Sequence, residues 1–369
     1  MPVLRFSPCL SQHTGDMTMP FFRFTTVLAA ALAGGLFLAA AQVRAQAPAP
    51  LSAPAPVPSP AKPYRIGAAV YGLKGEFMQM WTKELKAHPA VKDGTVQITV
   101  FDGNYDALTQ SNQFDTMITQ KYDGILFVPI DLKAGAAPVQ KAVKAGIPVV
   151  GSNTRVQGDV LTSYVGNDDV VAGRMQAEAL MKAIGGKGNI VVIEGPIGQS
   201  AQIERARGND EVLARHKDVK VLARKTANWS RAESMGLMEN WLTAFPGQIQ
   251  GVIAQNDDEA LGAVQAIKTK GIDIKTIPVV GVDGVAAAIT AVKRGEMTTN
   301  FQDAQAQAQG ALDVLLRQLV GPSYRPRSVV WSEYAQAMPW GDGTAKSYEV
   351  PWTAIVPANA DAFLQKVRK

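Results

Sequence analysis

The sequence predicts an α/β fold built as two doubly wound lobes, and three observations predict it. The first is a series of short Val- and Ile-rich runs at 64–70, 96–101, 124–130, 147–151, 190–194, 219–223, 251–254 and 278–282. They show little in–out alternation, the pattern of parallel strands covered on both faces. The second is the helical periodicity between them, at 77–87, 107–120, 139–145, 172–184, 231–244 and 259–270. Gly and Pro mark the returns, as in Ala145-Gly146-Ile147-Pro148 and Lys270-Gly271. The third is size. A chain of 369 residues, 47% hydrophobic and 19% charged, exceeds one domain, and it has too many strands for one sheet. The pattern breaks at Gly158 and Asp159, so two similar halves are expected to part near 158–167. In such folds ligands sit beyond the carboxyl ends of the strands, so the residues just after each strand are the candidates for function.

The N-terminus reads as an export signal. Arg23 precedes an apolar run at 25–41, and the small residues Val43, Ala45 and Ala47 follow it. The run is short and rich in Ala and Gly for a spanning helix; an uncleaved anchor is the competing reading. Cleavage is expected after Ala45, and translation starting at Met17 or Met19 would give a signal of ordinary length. Cys9, the one cysteine, lies upstream of the run, so no lipid anchor, disulfide or thiol nucleophile is expected in the exported chain. Removing 1–45 takes away Arg5, Arg23, Arg44 and Asp16, leaving 34 basic against 31 acidic residues. No run of like charges points to nucleic acid or an anionic membrane. Residues 46–63 are Ala/Pro-rich and read as a semi-rigid tether.

Catalytic signatures are missing. The three histidines, His13, His88 and His216, have no metal-ligand spacing, and no nucleophile elbow or dinucleotide fingerprint occurs. Gly185-Gly186-Lys187-Gly188 precedes a strand, whereas a phosphate loop follows one, so it reads as a surface turn. No cofactor, metal or enzymatic turnover is expected.

Several blocks carry a family resemblance: AQNDDEALGA at 254–263, PVVGVDG at 278–284, KAVKAGIPVV at 141–150, the YVGNDD…AGR run at 163–174, and 200–208. Together they resemble the periplasmic pentose/hexose-binding proteins of bacterial ABC transporters, most closely the ribose-binding type. The resemblance runs from about residue 64 to 301 and more weakly beyond. It implies two Rossmann-like lobes joined by a three-crossing hinge, the type I periplasmic binding protein fold, and a small polyhydroxylated ligand held between them. A sugar offers an apolar face and a rim of hydroxyls, which call for aromatic plates and planar polar groups. The resemblance places plates at Phe77 and Trp229, with Met78 beside the first. It places hydroxyl partners at Arg205, Asn256, Asp283 and Gln302, and aligns Asn153 and Thr154 with a further polar pair.

The chain also departs from that family. Gly75-Glu76 stands where Asn-Pro is usual, Met78 replaces a second Phe, and Val128 sits where an Asn often precedes the Pro. Asn153-Thr154 replaces Asp-Arg, with Arg155 one place late. A polar-poor first lobe makes ribose itself a poor expectation. The expected layout is a signal at 1–45, a tether at 46–63, a first lobe of 64–167 plus 303–330, and a second of 168–302 plus 331–369. Crossings fall near 158–167, 297–303 and 325–334. The expected role is a monomeric periplasmic solute-binding component of an importer, its partner the transporter's membrane permease. Alternatives are a binding protein serving a chemoreceptor or sensor kinase, or a sugar-responsive transcription regulator. The last needs a DNA-binding module in front, where this chain has a signal and a tether.

Overall fold

The computed structural model describes residues 62–368, and the expected signal peptide and most of the tether lie outside them. The chain runs β1 (Tyr64–Val70), α1 (Glu76–Ala87), α2 (Pro89–Lys92), β2 (Val96–Asp102), α3 (Ala107–Thr119), β3 (Gly124–Val128), α4 (Ala136–Lys144), β4 (Val149–Ser152) and β5 (Ser163–Gly166). It continues as α5 (Asp169–Ile184), β6 (Gly188–Glu194), α6 (Ser200–Leu213), β7 (Val219–Thr226), α7 (Arg231–Ala244), β8 (Gly251–Ala254), α8 (Asp257–Thr269), β9 (Val279–Asp283), α9 (Ala286–Lys293) and β10 (Thr298–Phe301). The last elements are α10 (Ala304–Val320), α11 (Val330–Glu333), β11 (Ser347–Glu349), β12 (Thr353–Ile355) and α12 (Ala360–Arg368).

These strands form two six-stranded sheets, in the orders β11-β5-β4-β3-β1-β2 and β12-β10-β9-β8-β6-β7. Every pairing is parallel except β12 against β10. The central strands are buried on both faces, as in β3, where all of GILFV is inaccessible. The weakly patterned segments at 163–166 and 298–301 are also strands, each the last of its lobe before a crossing.

The chain passes between the sheets after β5, after β10, and at residues 350–352 between β11 and β12. The third passage corrects the expectation of a crossing near 325–334. Residues 324–349 stay with the first lobe because a buried carboxylate on α10 holds them there. Asp313 accepts from the Tyr324 hydroxyl, the Arg327 and Ser328 N–H groups, the Ser328 hydroxyl and Trp331 Nε1 (2.9 Å). His88 completes the set. Its Nδ1 accepts from the Ala90 N–H, so Nε2 carries the proton and donates to Asp313 at 3.1 Å. Burial alone would raise the Asp313 pKa, but His88 and these donors hold it below the usual carboxylate range. β11 then joins the edge of β5, and the backbone of Val350 donates to Gly166, binding the first and third crossings together.

Candidate ligand-binding cleft

The carboxyl ends of the two sheets face each other, as the fold class requires. Ten residues line one small cavity there, and seven of the nine expected site residues are among them: Phe77, Asn153, Arg205, Trp229, Asn256, Asp283 and Gln302. Phe77 comes from the first turn of α1, and Asn153 follows β4 with a left-handed φ of 61°. Both belong to the first lobe. The rest come from the second.

Trp229 follows β7 in a left-handed turn shared with Asn228. Its polar neighbours argue for exposure, yet the indole is only 5% exposed, because it lies in the cleft and flat against Gly195. A Cβ at Gly195 would overlap the ring, so a side chain there would displace the plate. The Trp229 N–H donates to Glu259 Oε1 at 3.1 Å, and its Nε1 donates to Gln199 Oε1 at 2.6 Å.

Arg205, on α6, is 3% exposed, and each of its three guanidinium nitrogens donates once, leaving one further N–H on each Nη. Nε donates to Asp169 (2.8 Å), Nη1 to the Gln255 carbonyl (2.7 Å) and Nη2 to Gln302 Oε1 (3.2 Å). Its guanidinium lies 5.6 Å from the Trp229 ring and 5.8 Å from Trp352, which sits on the third crossing. Gln302 therefore has its oxygen turned to Arg205, and its buried Nε2 has no partner among the described residues.

Asn256 is both the N-cap of α8 and part of the wall. Its Oδ1 accepts from the Glu259 N–H at 2.8 Å, leaving the Nδ2 donors for the cavity. Asp257 does something else. Buried beneath the β9–α9 turn, it accepts from the Gly284 and Val285 N–H groups and from the Thr299 hydroxyl. That brace holds Asp283 with a strained φ of 130° at the end of β9, its carboxylate opening on the cavity. Burial pushes the Asp283 pKa well above the carboxylate range, against the pull of Arg205.

Two expected site residues are elsewhere. Met78 is inaccessible within the first lobe's core, one position round α1 from Phe77. Thr154 is turned into its own lobe, where its hydroxyl donates to the Pro129 carbonyl at 2.7 Å. Arg155 also points away from the cleft, stacking 4.0 Å from the Tyr164 ring and pairing with Glu349. Three wall residues were not anticipated: Tyr71, Gln199 and Ala201. Tyr71 directly follows β1, so the strand-end rule could have found it. No local signal marks Gln199.

The lobes meet along the lips. The Glu76 N–H at the start of α1 donates to Asp258 Oδ2 at 3.0 Å, and Arg231 bridges Asp258 (2.7 Å) and Glu76 (3.4 Å). Gly75-Glu76, the departure noted above, thus supplies a cross-lobe ion pair.

Several wall-supporting acids are costly to ionise. Burial pushes Glu259 and Asp257 up to about 8. A carboxyl raised in this way stabilises the native state fully below its ordinary pKa of about 4, and that contribution is lost as pH rises through about 8. The melting temperature of the ligand-free protein is therefore expected to fall between about pH 4 and about pH 8. Glu259→Gln should flatten the fall, since the amide still accepts from the Trp229 N–H but never ionises. A wild-type slope in that variant would contradict this assignment.

Two mostly parallel sheets facing across a three-stranded hinge, with aromatics from both lobes and convergent polar groups between them, define a two-lobed small-molecule binding protein. The chain belongs to the periplasmic binding protein domain family, which matches residues 66–323. It is 38% identical to the xylitol-binding protein of Mycolicibacterium smegmatis over 252 residues, 68% of this chain and 70% of that protein. It is 30% identical to the ribose import binding protein of Bacillus subtilis, over 63% of this chain and 73% of that one. Among solved structures, it is similar to an ABC transporter solute binding protein from Bacillus halodurans with bound myo-inositol. That match has a TM-score of 0.73 at 28% identity and covers 84% of this chain and 100% of the other.

Proposed function

We propose that the chain is the periplasmic solute-binding component of an ABC importer, and that it holds a neutral sugar alcohol or monosaccharide between its lobes for delivery to a membrane permease. The observation that carries this reading is the composition of the cavity wall. Two aromatic plates, Phe77 and Trp229, come from opposite lobes, and Asn153, Asn256, Asp283, Gln302 and Arg205 supply hydroxyl partners. The wall holds binders and no poised nucleophile, so capture and release without turnover is the activity it supports. The expected export signal agrees with this location.

The first lobe's part of the wall argues against ribose, because Val128, Asn153 and Thr154 stand where the ribose-binding type has other polar or charged partners. The first lobe offers one amide, Asn153, while Val128 is buried in its core and Thr154 is turned away. On that side the polar wall groups are Asn153 and Tyr71, and a ribose hydroxyl matched to neither would be left unpaired, which costs roughly 1–3 kcal/mol per group. The relatives named for xylitol and myo-inositol point the same way.

Titration calorimetry on the exported chain with xylitol, myo-inositol and ribose tests this reading. One of the two polyols is expected to bind in the submicromolar range, about −8 kcal/mol or better, with ribose at least tenfold weaker. Submicromolar ribose binding would overturn the polyol preference, and accumulation of product would overturn the binding-protein reading.

A further inference from the structure

We infer that Gln199 is a positioning residue that couples the orientation of the Trp229 plate to closure of the lobes. This rests on the sugar-binding reading and deepens it. Gln199 ends the loop between β6 and α6 in the second lobe and is 1% exposed. Its amide makes two bonds of opposite polarity. Oε1 accepts from Trp229 Nε1 at 2.6 Å, and Nε2 donates to the Pro129 carbonyl of the first lobe at 3.1 Å. The chemistry of the partners sets which way the amide faces. An indole N–H only donates and a carbonyl only accepts, so the flipped amide would lose both bonds.

The residues on either side of Gln199 also touch the first lobe. The Gly198 carbonyl accepts from the Leu132 N–H at 2.9 Å, and the Ser200 hydroxyl accepts from the Arg155 N–H at 2.7 Å. Residues 198–200 are therefore a seam along which the lobes are bonded when they meet. Within that seam Gln199 alone reaches on to a plate of the ligand cavity. Separation of the lobes removes the Pro129 carbonyl and frees the amide to rotate, which releases the indole from its fixed orientation. Closure restores both bonds together. The plate is thus held rigid only while the ligand is enclosed, and a bound ligand is retained by the same contact that seals it in.

Two variants separate this role from simple loop support. Gln199→Met removes both bonds at nearly equal volume. Gln199→Glu, as the carboxylate, keeps an acceptor for Trp229 but turns a second acceptor toward the Pro129 carbonyl and so breaks the cross-lobe bond. Its dissociation is read at the alkaline end of a pH series, where the carboxyl is ionised and has no O–H to donate to Pro129. Stopped-flow tryptophan fluorescence with xylitol and myo-inositol gives the association and dissociation rates, and melting of the ligand-free chains reports on folding. Both variants are expected to speed dissociation about tenfold, as for a buried hydrogen bond whose partner stays behind, with association little changed. Ligand-free melting should stay close to wild type.

Wild-type dissociation from Gln199→Glu would overturn the coupling, since the cross-lobe bond would then carry nothing. Lowered ligand-free melting with unchanged dissociation in either variant would make Gln199 a structural loop residue only. If Gln199→Met does not fold, Gln199→Glu decides between these outcomes. A wild-type chain that binds neither polyol would instead sink the reading on which this inference rests, and the inference with it.

Discussion

Arg205→Met is expected to abolish ligand binding and to destabilise the second lobe by about 3–5 kcal/mol, the cost of removing one partner from a buried ion pair. Asp169 would be left 2% exposed with its charge uncompensated, and the Gln255 carbonyl and Gln302 Oε1 would lose their donor. The second variant needed is Arg205→Met/Asp169→Leu, which removes both charges. Replacing a buried ion pair by apolar groups of similar volume is often neutral. The double variant should therefore recover most of the lost melting temperature while still binding neither xylitol nor myo-inositol. The coupling energy follows from the cycle of the two single variants and the double. Equal destabilisation by the double and single variants would show that the Asp169 charge is not what Arg205 neutralises. Recovery of binding in the double variant would remove Arg205 from the site.

Trp229→Ala is expected to weaken polyol binding by at least about 2 kcal/mol, roughly thirtyfold, as for truncation of a central aromatic anchor. The indole forms one wall of the cavity and packs on Gly195, Gln199 and the Arg205 guanidinium, all within the cleft. Those three belong to its own lobe, while a place in one apolar cluster with Phe77 ties the ring to the first lobe as well. The melting temperature of the ligand-free chain is expected to change less than the affinity does. That comparison must be made without ligand, because bound ligand raises the apparent stability of the wild type by mass action. Trp229→Phe keeps a plate but loses the Nε1 donor to Gln199, so it should fall between wild type and Trp229→Ala. A large loss of ligand-free melting temperature with affinity unchanged would make Trp229 a core residue and end its role as a plate.

The order of strands and helices is legible in the sequence because each depends on near neighbours. A run such as Ile125–Val128 needs no distant partner to be read as a strand buried on both faces. The family resemblance marks most of the cleft, and the strand ends agree with it. Asn256 follows β8, Asp283 closes β9, Gln302 follows β10, and all three line the cavity. Trp229 is marked by the family resemblance, and a large aromatic between Asn228 and Ser230 agrees with it. Helix–strand boundaries move by a few residues, and Asn256, expected as a ligand residue, lines the cavity and also caps α8.

Tertiary structure decided what depends on partners far apart in the chain. The lobe that keeps residues 324–349 is set by Asp313, a buried charge whose donors lie 11 to 18 residues away on one side and 225 on the other. The lips are closed by Glu76 with Arg231, 155 residues on, and the Trp229 plate is oriented by Gln199 with Pro129, 70 residues back. The sequence by itself determined that this is a two-lobed α/β chain, and with the family resemblance it marked most of the residues that line the cleft. Periodicity, strand ends and residue chemistry are local properties, and they survive without knowledge of the fold. Which side chains turn into the cleft was decided only by folding. Thr154 turned away, Met78 was buried and Gln199 was recruited, because a buried polar group goes where its hydrogen bonds are satisfied and an apolar one where it leaves water.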